Sequence, residues 1–156
     1  MEPGWRVDED VLDDVDVVDL LALHHAEMTA GSPPDACHVL AVDGLRDPAI
    51  RTFAVRDGDG TLLGVGALKA LEPGHGEVKS MRTAPAALGR GVGRALLDHL
   101  VAVAGDAGMT RLSLETGSGA RFAAAIRLYE TAGFERCGPF GGYPDTPFTR
   151  FYTRVL

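Results

Sequence analysis

The chain has 156 residues, 46% of them hydrophobic and 24% charged, with 22 Asp and Glu against 15 Lys and Arg for a formal net charge of −7. That length suits one domain, residues 1–156, burying about 70% of its unfolded surface, and the acidic balance excludes a nucleic-acid binder, which shows a basic face. No apolar run reaches the ~20 residues of a membrane helix, and the acidic start MEPGWRVDED lacks the regions of a signal peptide, so a cytoplasmic location is expected.

Trp5 to Val7 reads as a short first strand. Seven carboxylates follow between residues 8 and 19, a solvated acidic face rather than a metal site. Val11, Val15, Val18 and Leu21 recur at spacings of three and four, which predicts an amphipathic helix from about Asp14 to Thr29. Gly31-Ser32-Pro33-Pro34 breaks it, with His24, His25, Met28 and His38 on either side. Arg51–Arg56 and Thr61–Leu71 read as strands joined by the turn Asp57-Gly58-Asp59-Gly60. Cys37 and Cys137 have no metal-ligand spacing and fit reduced thiols. No metal site is expected.

The strand Glu77–Thr83 runs into a loop with Gly89, Gly91 and Gly93, and then into a helix whose face carries Val92, Ala95, Leu96, His99, Leu100 and Val103. Glycines let backbone approach a ligand closely, and a helix N-terminus offers unpaired amides to an anion. Arg90 and Arg94 add positive charge. The dinucleotide pattern G-x-G-x-x-G fails, because Leu96 stands at its last position, and the P-loop pattern is absent. Beyond the helix come a strand Arg111–Thr116, a helix Ala120–Ala132 with Phe122, Ala125, Ile126 and Tyr129 on its buried side, and two short strands near Phe134–Cys137 and Thr149–Arg154.

Two blocks carry a family resemblance. Leu88-Gly89-Arg90-Gly91-Val92-Gly93 is similar to the Q/R-x-x-G-x-G/A loop of the GNAT superfamily of N-acetyltransferases, with Leu88 in place of the usual Gln or Arg. Ala125 to Phe134 resembles the A-x-x-L-Y-E-K-x-G-F signature, with Thr131 in place of Lys. SPPD at 32–35, KSMRT, LETGSG and CGPFGGYP resemble the bacterial YsnE-like subset of that superfamily. The resemblance implies an α/β fold with a mixed, mostly antiparallel central sheet that splays into a V between strands 4 and 5.

It also implies acetyl-CoA as co-substrate and transfer of its acetyl group to the primary amine of a small molecule. A non-catalytic acyl-CoA-binding or sensor domain of the same fold is the alternative. The pantetheine arm would lie between Glu77–Thr83 and Arg111–Thr116, paired with backbone of Met81 and Thr83. The stretch Met81, Arg82, Thr83 and the loop Leu88, Gly89, Arg90, Gly91, Val92, Gly93 and Arg94 would bind the cofactor. Phe122 stands where relatives carry a CoA-contacting Asn. Tyr129 matches the general acid and Glu77 the catalytic base, with Glu115 in reserve. On a regular strand Glu77, Lys79 and Met81 share one face. Lys79, Ser80, Arg82, Arg121 and Tyr143 are candidate acceptor contacts, and an acceptor bearing a carboxylate would suit them. A membrane partner is not expected; homodimers are frequent in the superfamily.

Overall fold

The computed structural model describes residues 2–156. In chain order the elements are β1 (Arg6–Asp10), α1 (Val15–Gly31), β2 (Ile50–Arg56), β3 (Leu62–Glu72), β4 (His75–Thr83), α2 (Val92–Asp106), β5 (Arg111–Thr116), α3 (Ala123–Thr131), β6 (Glu135–Cys137) and β7 (Arg150–Val155). The strands form one sheet in the order β1-β2-β3-β4-β5-β7-β6. Every pair is antiparallel except β4–β5. The splay expected from the resemblance is present: β4 and β5 pair only over His75–Glu77 and Arg111–Ser113, then part.

Period-two alternation divides the sheet's side chains between two cores. On one face α1 sets Val17, Leu20 and Leu21 against Ile50, Ala54, Val65 and Ala67. On the other, α2 and α3 set Leu96, Leu97, Leu100, Ile126 and Tyr129 against Phe53, Val55, Leu68, Val78, Leu112 and Leu114.

Two expectations need correction. The inward face of α1 is Val17, Leu20, Leu21 and His24, whereas Val11 and Val15 are 74% and 73% exposed. Burial of Val17, Leu20 and Leu21 against the sheet sets the rotation of this helix, and long-range ion pairs accompany it. Arg56 of β2 lies 2.6 Å from Asp16 and 3.3 Å from Asp14, pinning the first turn with Val15 outward. The acidic run is therefore not wholly a solvated face, because Glu9 also takes a two-pronged contact from Arg51.

The second correction concerns β4. Ser80 has φ 54°, and the register against β3 shifts between Val65 and Ala67, so two residues of β4 oppose Gly66. Such a bulge breaks the alternation. Lys79 pairs with Ala67 of the α1-side core, while Met81 packs into the opposite core. Glu77 and Lys79 thus share a face that Met81 does not.

Candidate functional site

The parting of β4 and β5 opens a cavity of about 840 Å³. Its walls come from α1 (His24, Glu27, Met28), the loop 36–40, β4 from Glu77 to Thr83, the start of α2, Glu115 to Gly117 at the end of β5, and Phe122, Leu128 and Tyr129. Beyond Glu77, the edge of β4 that faces β5 has no strand partner. Backbone groups there keep their hydrogen-bonding need, and an extended ligand can meet it as a strand would.

The glycine loop ends at the mouth of this cavity. Gly89 and Gly91 have φ 78° and 87°, in the left-handed region where a Cβ is penalised. A Cβ built on either would meet no protein atom within 4 Å, so both face open space. Gly91 is the N-cap of α2 and supplies no side-chain cap, which leaves the first-turn amides unpaired by side chains. Open glycine backbone before an uncapped helix start is the kind of site that accommodates an anion. Gly93 has a different role: it lies inside α2, where a Cβ would stand 3.1 Å from Leu128 of α3. Its smallness packs one helix against another.

The other expected cofactor residues divide. Leu88, 68% exposed, lines the cavity with Val92, Met81, Thr83 and Phe122, the last edge-to-face with Phe148 at 5.6 Å. Arg94 lines it too and is held 2.9 Å from Asp98. Arg90 instead lines a neighbouring hollow, where its guanidinium makes two 3.1 Å hydrogen bonds to Glu2 and lies over Trp5. Arg82 sends its side chain to the α1 face, 2.7 Å from Glu27.

Three polar groups meet at the inner end. Lys79 Nζ donates to Glu77 Oε2 (3.2 Å) and to Tyr143 Oη (2.7 Å), and Tyr143 donates to the same Glu77 oxygen (2.7 Å). Glu77 is only 2% exposed. The loop before β7 brings Tyr143 into this triangle, where His38 packs on its ring at 4.9 Å. Burial and the neighbouring Glu77 carboxylate push the Tyr143 phenol far up.

Glu115 lies close by on β5. Burial pushes its carboxyl up to about 7, against the pull of Lys79, and the Glu77 charge pushes the same way. Tyr129, buried on α3, is pushed up to about 12, first by burial and then by Glu115. At neutral pH Tyr129 therefore holds its proton, while Glu115 sits near the midpoint of its titration. Both line the cavity. His24 is held neutral, its pKa lowered to about 4 by burial and by Arg82.

Sequence reasoning missed Glu27 and Phe148. Glu27 reads as one more surface acid on a helix, and only the distant Arg82 gives it a role. Phe148 sits in a glycine- and proline-rich loop that carries no periodic signal.

Comparisons with known proteins agree with this geometry. Residues 17–134 match the model of the acetyltransferase (GNAT) family. The chain is 45% identical over 140 residues to the uncharacterized N-acetyltransferase YsnE of Bacillus subtilis (strain 168), covering 90% of this chain and 92% of that protein. A crystal structure from Klebsiella pneumoniae, of a protein assigned to the acyl-CoA N-acyltransferases, superposes with TM-score 0.77 at 27% identity over 97% of each chain. An Elizabethkingia anophelis GNAT acetyltransferase solved with acetyl-CoA bound superposes with TM-score 0.73 at 16% identity, covering 99% and 100%.

Proposed function

Since the chain belongs to the acetyltransferase (GNAT) family, we propose that it moves the acetyl group of its co-substrate, acetyl-CoA, onto the primary amine of a small molecule. The observation that carries this reading is the open β4–β5 edge, leading from an uncapped helix N-terminus to a buried tyrosine and glutamate. Acetyl-CoA supplies an activated acyl carbon and a thiol leaving group. The residues of the cavity supply position, hydrogen bonds and proton transfer.

Backbone of Met81 and Thr83 holds the pantetheine arm along the free edge of β4. The bulge at Ser80 turns the local amides out of the ladder. The Met81 N–H is the donor we assign to the thioester oxygen, since a fixed donor aimed at developing charge is a large catalytic contribution. Amides from Gly89 to Arg94 hold the pyrophosphate. Val92 and Phe122 supply apolar wall, and Leu88 covers the arm without a polar contact.

The acceptor amine must lose a proton before or during its attack, because amines of the lysine type titrate near ~10.4. Glu115 takes that proton. A base works best with a pKa near the working pH, and burial places Glu115 there. Glu77, whose Oε2 is committed to Lys79 and Tyr143, positions those two groups. Tyr129 gives its proton to the departing sulfur.

Thermal unfolding with acetyl-CoA tests the reading, with ATP and NAD as controls. A ligand at a hundred times its Kd stabilises by about 2.7 kcal/mol, which for a chain of this size raises Tm by roughly 5–10 °C. A rise with acetyl-CoA alone, together with amine-dependent release of free CoA, is expected. A rise with ATP or NAD and none with acetyl-CoA overturns the reading.

A further inference from the structure

One exposed carboxylate, Glu27 of α1, draws two guanidinium groups from distant parts of the chain. Arg82 Nη1 lies 2.7 Å from Glu27 Oε2, and Arg121 Nη2 donates to the Glu27 main-chain oxygen at 2.7 Å. Among the described residues neither arginine has another side-chain hydrogen-bond or ion-pair partner. An arginine presents five N–H donors in a planar fork, so most of this donor set is unspent. All three residues line the same cavity as Glu115 and Tyr129.

Two further observations mark the spot as built for a ligand. Arg121 has a seat at Gly31, the last residue of α1, where a Cβ would stand 1.8 Å from its Nη1. Any other residue there displaces the guanidinium. His24, one turn before Met28 on the same helix, is buried against Arg82 and its Nδ1 has no hydrogen-bond partner among the described residues. Orphaned buried nitrogens are rare without a reason, and His24 lines the cavity.

We propose that Arg82 and Arg121 form a carboxylate seat, occupied in the free protein by Glu27, and that the acceptor is an amine that also carries a carboxylate, an amino acid or close analogue. The inference rests on the acetyltransferase reading and narrows its substrate. The acceptor carboxylate displaces the Glu27 side chain from Arg82 and takes up the unused donors of both guanidinium groups. Planar two-pronged recognition of carboxylate is what arginine does better than lysine. The seat and Glu115 then hold the two ends of one small molecule, with its nitrogen at the inner end.

The test measures CoA release with each standard L-amino acid, with its carboxamide, and with spermidine as an amine lacking carboxylate. The expected result is at least one amino acid with kcat/KM tenfold or more above its carboxamide. Arg121→Met and Gly31→Ala should each bring that ratio close to one while keeping the acetyl-CoA shift in Tm. Gly31→Ala matters because it moves the guanidinium with its charge intact and adds a better helix former. Glu27→Gln should lower KM for the carboxylate-bearing acceptor by removing its competitor. Equal use of both series, reaction with spermidine alone, no reaction in any series, or a ratio that neither variant moves overturns the inference while the acetyl-CoA shift stands. Absence of that shift overturns the acetyltransferase reading, and the inference with it.

Discussion

Tyr129 sits at the end of α3's inward face, where its ring packs on Phe134 and its hydroxyl meets the cavity's electrostatic field. Tyr129→Phe keeps the ring and removes the proton donor, so kcat should fall about 10²–10⁴-fold with acetyl-CoA binding unchanged. Unaltered turnover would remove Tyr129 from the reaction. Glu115 makes its own mark on the pH profile. Its carboxyl must be ionised to accept a proton, so kcat/KM should rise with pH through about 7. Glu115→Gln should remove that limb; if Glu77→Gln removes it instead, the base is Glu77. His24 links pH to stability. It titrates near 4 in the fold against a reference of 6.5. Between those values the unfolded chain binds a proton that the folded chain refuses, so stability rises with pH across the window and is lost as pH falls toward 4. The contribution is about 3 kcal/mol at most. The urea midpoint of the wild type should fall relative to that of His24→Leu as pH drops from 6.5 to 4, with the difference between the two constant above 6.5. These perturbed groups were only half legible in the sequence. Tyr129 and Glu115 could be named from a motif and a strand position, but their titration depends on burial that no short stretch encodes.

At the scale of the element, β4 is where local pattern and tertiary structure disagree. Its residues alternate well enough to read as a plain strand, yet Ser80 adopts φ 54° and reverses the facing of everything after it. A serine in the left-handed region is uncommon, and a β-branched residue is worse. Ser80→Val should cost about 1–2 kcal/mol of stability and weaken the acetyl-CoA shift, while Ser80→Gly should hold or raise stability. A Ser80→Val protein with normal urea midpoint and normal shift would mean the bulge is dispensable. Helix α2 was legible because its pattern and its glycine start agree, and Val92, Leu96 and Leu100 are all buried. The inward face of helix α1 was not legible, since valines and leucines lie all round its first turns and only packing against the sheet selects Val17, Leu20 and Leu21.

For the whole molecule, the order of elements was legible, because most strands and helices are bounded by glycines or prolines. The parting of β4 from β5 was not legible from any local stretch and came only through family resemblance. Two cores on opposite faces of one continuous sheet suggest a single cooperative unit. Trp5 belongs to the α2-side core and is the chain's one tryptophan. Unfolding followed by its fluorescence and by far-ultraviolet circular dichroism should therefore coincide; two separated transitions would divide the chain into two folding units.

The free edge of β4 has a consequence of another kind. Unpaired strand edges on protein surfaces recruit other chains, and proteins blunt them with charge or cover. This one lies inside the molecule, flanked by α1 and α3 and bounded by β5. The same parting of β4 from β5 that sets this edge within a cavity is what the proposed reading gives to the co-substrate's arm, so one feature would both keep the edge from other chains and receive the ligand.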